Sequence, residues 1–316
     1  MERQSKVTII GAGNVGATVG YSLAMHGTCH RIVLVDRDEE RAKGKALDMS
    51  QAAAATRSHT IVKAAKDYSD IINSEIVVIT AGSPRLPGMS REDLLMTNAE
   101  ITKEVILKVK EYAPNAIVIM VSNPLDTMTY VALKAGNYPR NQVIGMAGIL
   151  DSARMAHFIY EKLGFGAGQI RATTMGGHGD YMVPLQRYST VAGIPLTDLL
   201  KTDEIDEIVE RTKHGGAEIV GYLKTGSAYY APAKSTALMI NAILTDSKQI
   251  YPCAVYLEGQ YGFNDIVNGV PVTLGKKGAE EIIEISLNHC ERELFRKSID
   301  SVQVLIDILK EKKFLD

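Results

Sequence analysis

The sequence predicts an α/β fold: a doubly wound parallel sheet followed by an α+β domain with antiparallel strands. Short apolar runs alternate with helical segments through the first half of the chain. Those runs are apolar at successive positions, the pattern of strands covered on both faces. From about residue 150 the order changes to helices mixed with β-branched and aromatic runs that glycines interrupt.

The run at 7–10 is the first strand, followed by a glycine turn and a helix over 15–26. The next strand is 31–35, and a charged helix over 39–54 comes after it. Two continuous apolar runs, 76–79 and 116–121, are strands separated by a helix over 92–112 that ends before Pro114. After a helix at 151–163, the segments 170–175 and 182–191 read as strands of an antiparallel layer. Helices are predicted over 203–225 and 234–244. Between Lys248 and Leu274, β-rich runs are broken by Gly259, Gly262 and Gly269, as in hairpins. In a last helix over 288–312, Leu294, Val302, Leu305, Ile306 and Leu309 lie mostly on one core-facing stripe. The expected division is a first domain over 1–147 and a second over 148–316, with the boundary inside 144–150.

A length of 316 residues points to two domains. Hydrophobic residues at 46% and charged residues at 23% are ordinary for a soluble globular protein. A net charge of -2 gives no reason to expect nucleic acid or an anionic membrane as partner. The cluster Lys310-Glu-Lys-Lys313 reads as a solvated helix end. Cys29, Cys253 and Cys290 are widely spaced without a CxxC pair, which argues against a disulfide framework or structural zinc and fits a reduced cytoplasm. The first residues run straight into a strand, leaving no room for a signal peptide. No apolar run approaches the roughly 20 residues that span a bilayer. A cytoplasmic protein with no metal site is expected.

Gly11-Ala12-Gly13-Asn14-Val15-Gly16 matches GxGxxG directly after a strand and at the opening of a helix, the context that motif requires. The first glycine permits the tight turn, the second lets backbone approach a pyrophosphate, and the third lets helix pack on strand. Free N–H groups at the helix start face the phosphates. Asp36 ends the second strand, where a carboxylate accepts hydrogen bonds from the adenosine ribose and repels a 2′-phosphate. Asp38 takes the helix-capping role and Arg37 points to solvent. These residues predict a Rossmann sheet that binds NAD in preference to NADP.

Arg85, Arg91 and Arg154 with a His–Asp pair suit a small dianionic 2-oxo or 2-hydroxy acid. Two guanidiniums suffice for its two carboxylates, and a third polarises its carbonyl. Histidine serves as base in one direction and acid in the other because its ordinary pKa lies near neutrality. His178 is the candidate, flanked by Gly176, Gly177 and Gly179, which allow a ligand close. His26, His30, His59, His214 and His289 read as surface residues, and His157 as a packing residue. Asp180 sits too near in sequence to orient the ring, so Asp151 is the expected partner. Arg154 lies three residues on, on the same helix face, where it can grip a carboxylate bidentately. Ile149, Leu150 and Met155 around them favour a buried pair.

The ordered motifs GAGNVG, VSNPLD, LDSAR and GGHGD resemble the lactate/malate dehydrogenase superfamily along the whole chain. GSPRLPGMSREDLL, Ala231-Pro-Ala233 and GQYGFNDI resemble its bacterial lactate-dehydrogenase-like malate dehydrogenase branch. The resemblance implies an NAD-dependent, reversible oxidation of (S)-malate to oxaloacetate by a homo-oligomer, dimer or tetramer. In that reading His178 is the acid/base and Asp151 its orienting partner. Arg154 binds the 1-carboxylate and Arg91 polarises the carbonyl. Asn123 meets substrate and nicotinamide, and Asn98, Val121 and Ser122 fall at cofactor-contact positions. Arg85 separates the activities: lactate dehydrogenases usually carry glutamine there, malate dehydrogenases arginine. Pyruvate offers Arg85 only a methyl group, and an uncompensated buried charge costs about 3–5 kcal/mol. Tyr181, after His-Gly-Asp, replaces a smaller polar residue of many relatives and is expected to alter packing behind the histidine. The Pro84–Arg91 loop is expected to close over bound substrate. The rivals are another 2-hydroxy-acid dehydrogenase and a silent NAD-binding module; the intact His178, Asp151 and Arg154 set argues against the second.

Overall fold

In the computed structural model, which describes residues 5–84 and 88–315, the first half alternates strand and helix. The order is β1 (Lys6–Ile10), α1 (Asn14–His26), β2 (Arg31–Val35), α2 (Glu39–Ala55), β3 (Ile61–Ala64), β4 (Ile76–Ile79), α3 (Arg91–Tyr112), β5 (Ile117–Met120), α4 (Leu125–Ala135) and β6 (Val143–Gly145). The six strands are parallel in the order β3-β2-β1-β4-β5-β6. Every position of β4 and β5 is buried, which is why both read as unbroken apolar runs. Strand order reverses between β1 and β4, leaving a crevice at the carboxyl ends of the strands.

Local signals set the helix limits. Asp38 caps α2 by accepting the Arg41 N–H at 3.0 Å, and Glu39 and Glu40 in its first turn complement the helix dipole. Ser90 and Asp93 form a reciprocal capping box at the start of α3. Gly27, at φ +60°, ends α1.

The second half comprises α5 (Gly148–Leu163), β7 (Ile170–Arg171), β8 (Thr174–Met175), β9 (Val183–Pro184), β10 (Thr190–Val191), β11 (Ile194–Pro195), α6 (Leu196–Leu199), α7 (Thr202–Leu223), α8 (Tyr230–Leu244), β12 (Gln249–Glu258), β13 (Asn264–Gly275), β14 (Gly278–Ile282) and α9 (His289–Glu311). The segments 170–175 and 182–191 are not two strands of one layer. They break into two-residue strands in two small antiparallel sheets. Gly176, at φ +85°, takes the backbone out of extended geometry directly after β8.

The hairpin strands also differ from a separate layer. β12, β13 and β14 pair antiparallel and join β6 through Ala254 opposite Gly145, extending the parallel sheet to nine strands. A Cβ at Gly145 would stand 2.6 Å from the Thr129 hydroxyl and 2.9 Å from the Ala254 methyl, so only glycine fits the junction. Gly259 and Gly262, at positive φ, make the turn between β12 and β13. Gly269 does not break a run; it lies inside β13 opposite Ala254.

On α9 the buried stripe is Phe295, Ile299, Val302, Ile306 and Leu309, while Leu294 is 42% exposed and stands outside it. One large core runs from Val7 through the sheet to Leu309. A second, smaller core of Met155, Phe158, Ile159, Ile205, Ile208 and neighbours packs α7 against α5. No helix among the described residues is long and apolar enough to cross a membrane.

Candidate active site

The glycine turn sits where β1 meets α1. Gly11, at φ +105°, would place a Cβ 2.6 Å from the Thr80 hydroxyl, and a Cβ on Gly16 would lie 1.9 Å from the Gly11 carbonyl oxygen. Both positions therefore demand glycine. Gly13 is different: nothing lies within 4 Å of a Cβ there. It caps α1 without any side-chain hydrogen bond, and no acidic residue occupies the first helical turn. Open space before uncapped N–H groups suits a pyrophosphate.

Asp36 closes the other side. It accepts the Ala12 N–H at 2.6 Å, the Asp38 N–H at 3.0 Å and the Arg41 guanidinium at 2.6 Å. Burial pushes this carboxyl upward, but those donors outweigh it and hold it below the usual carboxylate range. Arg37 is exposed, as expected. The pairing of Asp36 with Arg41 has no signature in the sequence beyond a basic residue one helical turn along. Lys45, from the same helix, donates to the Ala12 carbonyl at 2.8 Å and braces the turn.

Asn98 and Ser122 have their side chains engaged within the protein. The buried Asn98 amide accepts the Ser83 N–H at 2.7 Å and donates to the Asn123 carbonyl at 2.8 Å. Ser122 donates to the Ala81 carbonyl at 2.6 Å. These bonds tie the ends of β4 and β5 together and leave Asn123 and Val121 on the wall of a cleft.

That cleft, of about 310 Å³, is also lined by Val15, Leu150, Arg154 and His178, and by Lys213, His214 and Gly216 of α7. It therefore runs from the opening of α1 to the second half of the molecule. His178 Nδ1 lies 3.0 Å from Asp151 Oδ2, and Arg154 donates to Asp151 Oδ1 at 3.1 Å. Asp151 is 1% exposed and Arg154 12%, so this is a buried network and not a surface ion pair. With both Asp151 oxygens accepting, Nδ1 of His178 carries the donated proton and Nε2 is the nitrogen left for a ligand. Burial favours the neutral ring, but the charge and hydrogen bond of Asp151 outweigh it, and the His178 pKa lies above its ordinary value.

The structure separates the remaining candidates. Arg91 is exposed at the first position of α3 and is not among the residues lining the cleft. Arg85 lies outside the described residues. Tyr181, beside the histidine loop, is 57% exposed. His157 is exposed rather than packed, 3.8 Å from Glu161. His26, His59 and His289 are exposed and His30 half-buried, whereas the exposed His214 also reaches the rim of the cleft. Helical spacing of three from Ala217, which also lines the cleft, puts His214 on that wall, a signal its polar surroundings mask.

Sequence reasoning also missed Asp126, a buried carboxylate on α4 that accepts the His178 backbone N–H at 2.8 Å. Its place as the last residue of VSNPLD, in the first turn of α4, is the signal that marks it.

Two family models match the chain: lactate/malate dehydrogenase, NAD binding domain, over residues 5–145, and lactate/malate dehydrogenase, alpha/beta C-terminal domain, over residues 149–313. Malate dehydrogenase of Sulfurimonas denitrificans is 69% identical over 316 residues, covering 100% of this chain and 99% of that protein. Malate dehydrogenase of Nitratiruptor sp. is 65% identical over 315 residues, covering 99% of each. Among solved structures, Cryptosporidium parvum malate dehydrogenase superposes with a TM-score of 0.94 at 41% identity, over 98% of this chain and 100% of that one. The lactate dehydrogenase of C. parvum, complexed with lactic acid and nicotinamide adenine dinucleotide, gives a TM-score of 0.94 at 38% identity, over 98% and 99%. The chain belongs to the lactate/malate dehydrogenase family, with that family's NAD-binding domain in its first half.

Proposed function

We propose that the chain catalyses the NAD-dependent, reversible oxidation of (S)-malate to oxaloacetate. The observation that carries this reading is the His178–Asp151–Arg154 network in a cleft that opens onto the glycine turn. The names of the full-length relatives add to it. Residues 1–147 then serve as the NAD domain and 148–316 as the substrate domain.

NAD, when bound, supplies the hydride acceptor. His178 takes the 2-hydroxyl proton on Nε2 during oxidation and returns it to the carbonyl oxygen during reduction. Asp151 holds the ring's orientation and stabilises the imidazolium. Arg154 clamps the 1-carboxylate with the guanidinium edge that Asp151 leaves free. Asn123 on the cleft wall orients the reacting carbon toward the nicotinamide side. Arg91 polarises the carbonyl once the first turn of α3 moves toward His178, a motion that also excludes water. Arg85 pairs with the second carboxylate and so selects oxaloacetate over pyruvate.

The exposed side chains of Leu47 on α2 and Tyr21 on α1 support a contact between copies of the chain, as a cytoplasmic homo-oligomer of the tricarboxylic acid cycle would have.

The test is steady-state kcat/KM for NADH oxidation with oxaloacetate and with pyruvate, side by side. A preference for oxaloacetate of about a hundredfold or more is expected, falling when Arg85→Gln is introduced. Comparable or reversed values in the unaltered chain would replace malate by lactate as the substrate.

A further inference from the structure

Three consecutive backbone N–H groups before the imidazole are held by three different elements. Gly176 donates to the Gly269 carbonyl of β13 at 2.8 Å. Gly177 donates to the Ser298 hydroxyl of α9 at 2.6 Å. His178 donates to Asp126 Oδ2 of α4 at 2.8 Å. The first two acceptors are neutral; the third is a carboxylate, 4% exposed, whose other oxygen has no hydrogen-bond partner among the described residues. A neutral acceptor would hold the N–H as well and would avoid burying a charge. The carboxylate is therefore unexplained by anchoring alone.

We propose that Asp126 is a positioning residue of this reaction, fixing the His178 backbone while setting a second negative charge beside the imidazole that Asp151 orients. The inference rests on His178 being the acid/base. The charged and titratable groups that act on Asp126 are His178, from the loop after β8, and Asp151, from α5. Toward the same loop, α9 presents the neutral Ser298 and the apolar Val302. Asp126 thus acts on the imidazolium across the peptide unit without touching the reacting atoms. Its charge adds to that of Asp151 in favouring the protonated ring, while Arg154 opposes both. Burial pushes the Asp126 carboxyl up to about 6 against the restraining His178 N–H and charge. Near and above neutral pH it is still the anion, the form in which it supports a proton on His178.

The experiment is the pH dependence of kcat and kcat/KM for oxaloacetate reduction between pH 6 and 9. It compares the unaltered chain with Asp126→Asn, Asp126→Ser and Ser298→Ala. Asn keeps an oxygen for the His178 N–H and removes only the charge; Ser does so with a different shape, should Asn perturb folding. NADH binding followed by fluorescence reports that each variant is folded.

Both Asp126 variants should move the alkaline fall in activity to lower pH, by about half a unit or more, with KM for oxaloacetate at low pH within about twofold. Ser298→Ala should lower kcat across the range and leave the position of the fall unchanged. An unmoved profile in folded Asp126→Asn and Asp126→Ser, or an equal displacement in Ser298→Ala, would overturn the proposal. A profile of the unaltered chain without any alkaline fall, hydride transfer being rate-limiting, would instead remove His178 as the acid.

Discussion

At His178, burial and charge act in opposite directions. Removing the ring from water disfavours the imidazolium, yet Asp151 at 3.0 Å restores it and more. A histidine pKa raised by folding makes a contribution to stability that is complete below about pH 6.5. That contribution is lost as pH rises through the higher folded value. The same sign governs catalysis. In the proposed reaction oxaloacetate reduction uses the protonated ring, so its rate should fall as pH rises through the His178 pKa, which lies above its ordinary value. Malate oxidation would use the neutral ring and should rise over the same interval. Rates in both directions from pH 6 to 9, with deuterium on malate C2 or on the transferred position of NADH to establish that hydride transfer limits turnover, check this; flat profiles would count against His178. Asp126 carries the opposite consequence for the fold. Its carboxyl is raised by burial, so it disfavours the folded state increasingly as pH rises from about 4 to about 6. Such a group persists where function requires it.

The elements that bring these residues together are held by close backbone contacts. A Cβ at Gly269 would fall 2.2 Å from the Gly176 carbonyl oxygen, and one at Gly148 would fall 2.3 Å from that of Thr174. Backbone does not yield as a flexible side chain does, so Gly269→Ala must push β13 away from the loop that carries His178. We expect it to lower kcat by about a hundredfold, because small misplacements of a catalytic group have effects of that order. NADH affinity should change little, since the glycine turn lies on β1 and α1. Unchanged kcat in a folded variant would show that the loop does not depend on this contact. The same strand shows what the sequence discloses and what it hides. Gly259 and Gly262 are legible as turn residues because nothing local competes with that reading. Gly269 reads identically, although its cause is a chain segment 93 positions earlier. Likewise α4 buries nine of its eleven residues, Asp126, Thr127 and Thr129 among them, so its burial follows no single apolar stripe. β6 has three residues, and the exposed Ile61 and Lys63 obscure β3. None of these three elements announces itself. β1, β2, β4 and β5 do, because strands covered by helices on both faces must be apolar throughout.

For the molecule as a whole, the cofactor side of the site was the more legible half. A glycine motif and the carboxylate after β2 are neighbours in sequence and in space. The proposed substrate side draws His178 from the loop after β8, Asp151 and Arg154 from α5, Asp126 from α4 and the cleft wall from α7. Asp126 closes the VSNPLD motif, whereas the wall from α7 belongs to none. Two successive helices of the second half also differ in how they are held. α8 is buried in the main core through Ala233, Met239, Ile240 and Ile243. α7 rests on α5 through the small second core, and Val220, Tyr222 and Leu223 near its end are exposed. Less buried apolar contact means a lower free energy of local opening. Since Lys213, His214, Gly216 and Val220 line the cleft, opening of α7 widens the path to Arg154 without disturbing the sheet. Hydrogen exchange followed by mass spectrometry should therefore show faster exchange in 202–223 than in 230–244. The difference should narrow when NADH and a non-reacting dicarboxylate occupy the site, because a ligand that binds only the closed form suppresses opening by mass action. Equal protection of the two helices in the free protein would place substrate access elsewhere. Faster exchange that ligands leave unaltered would show that α7 opens without reference to the site.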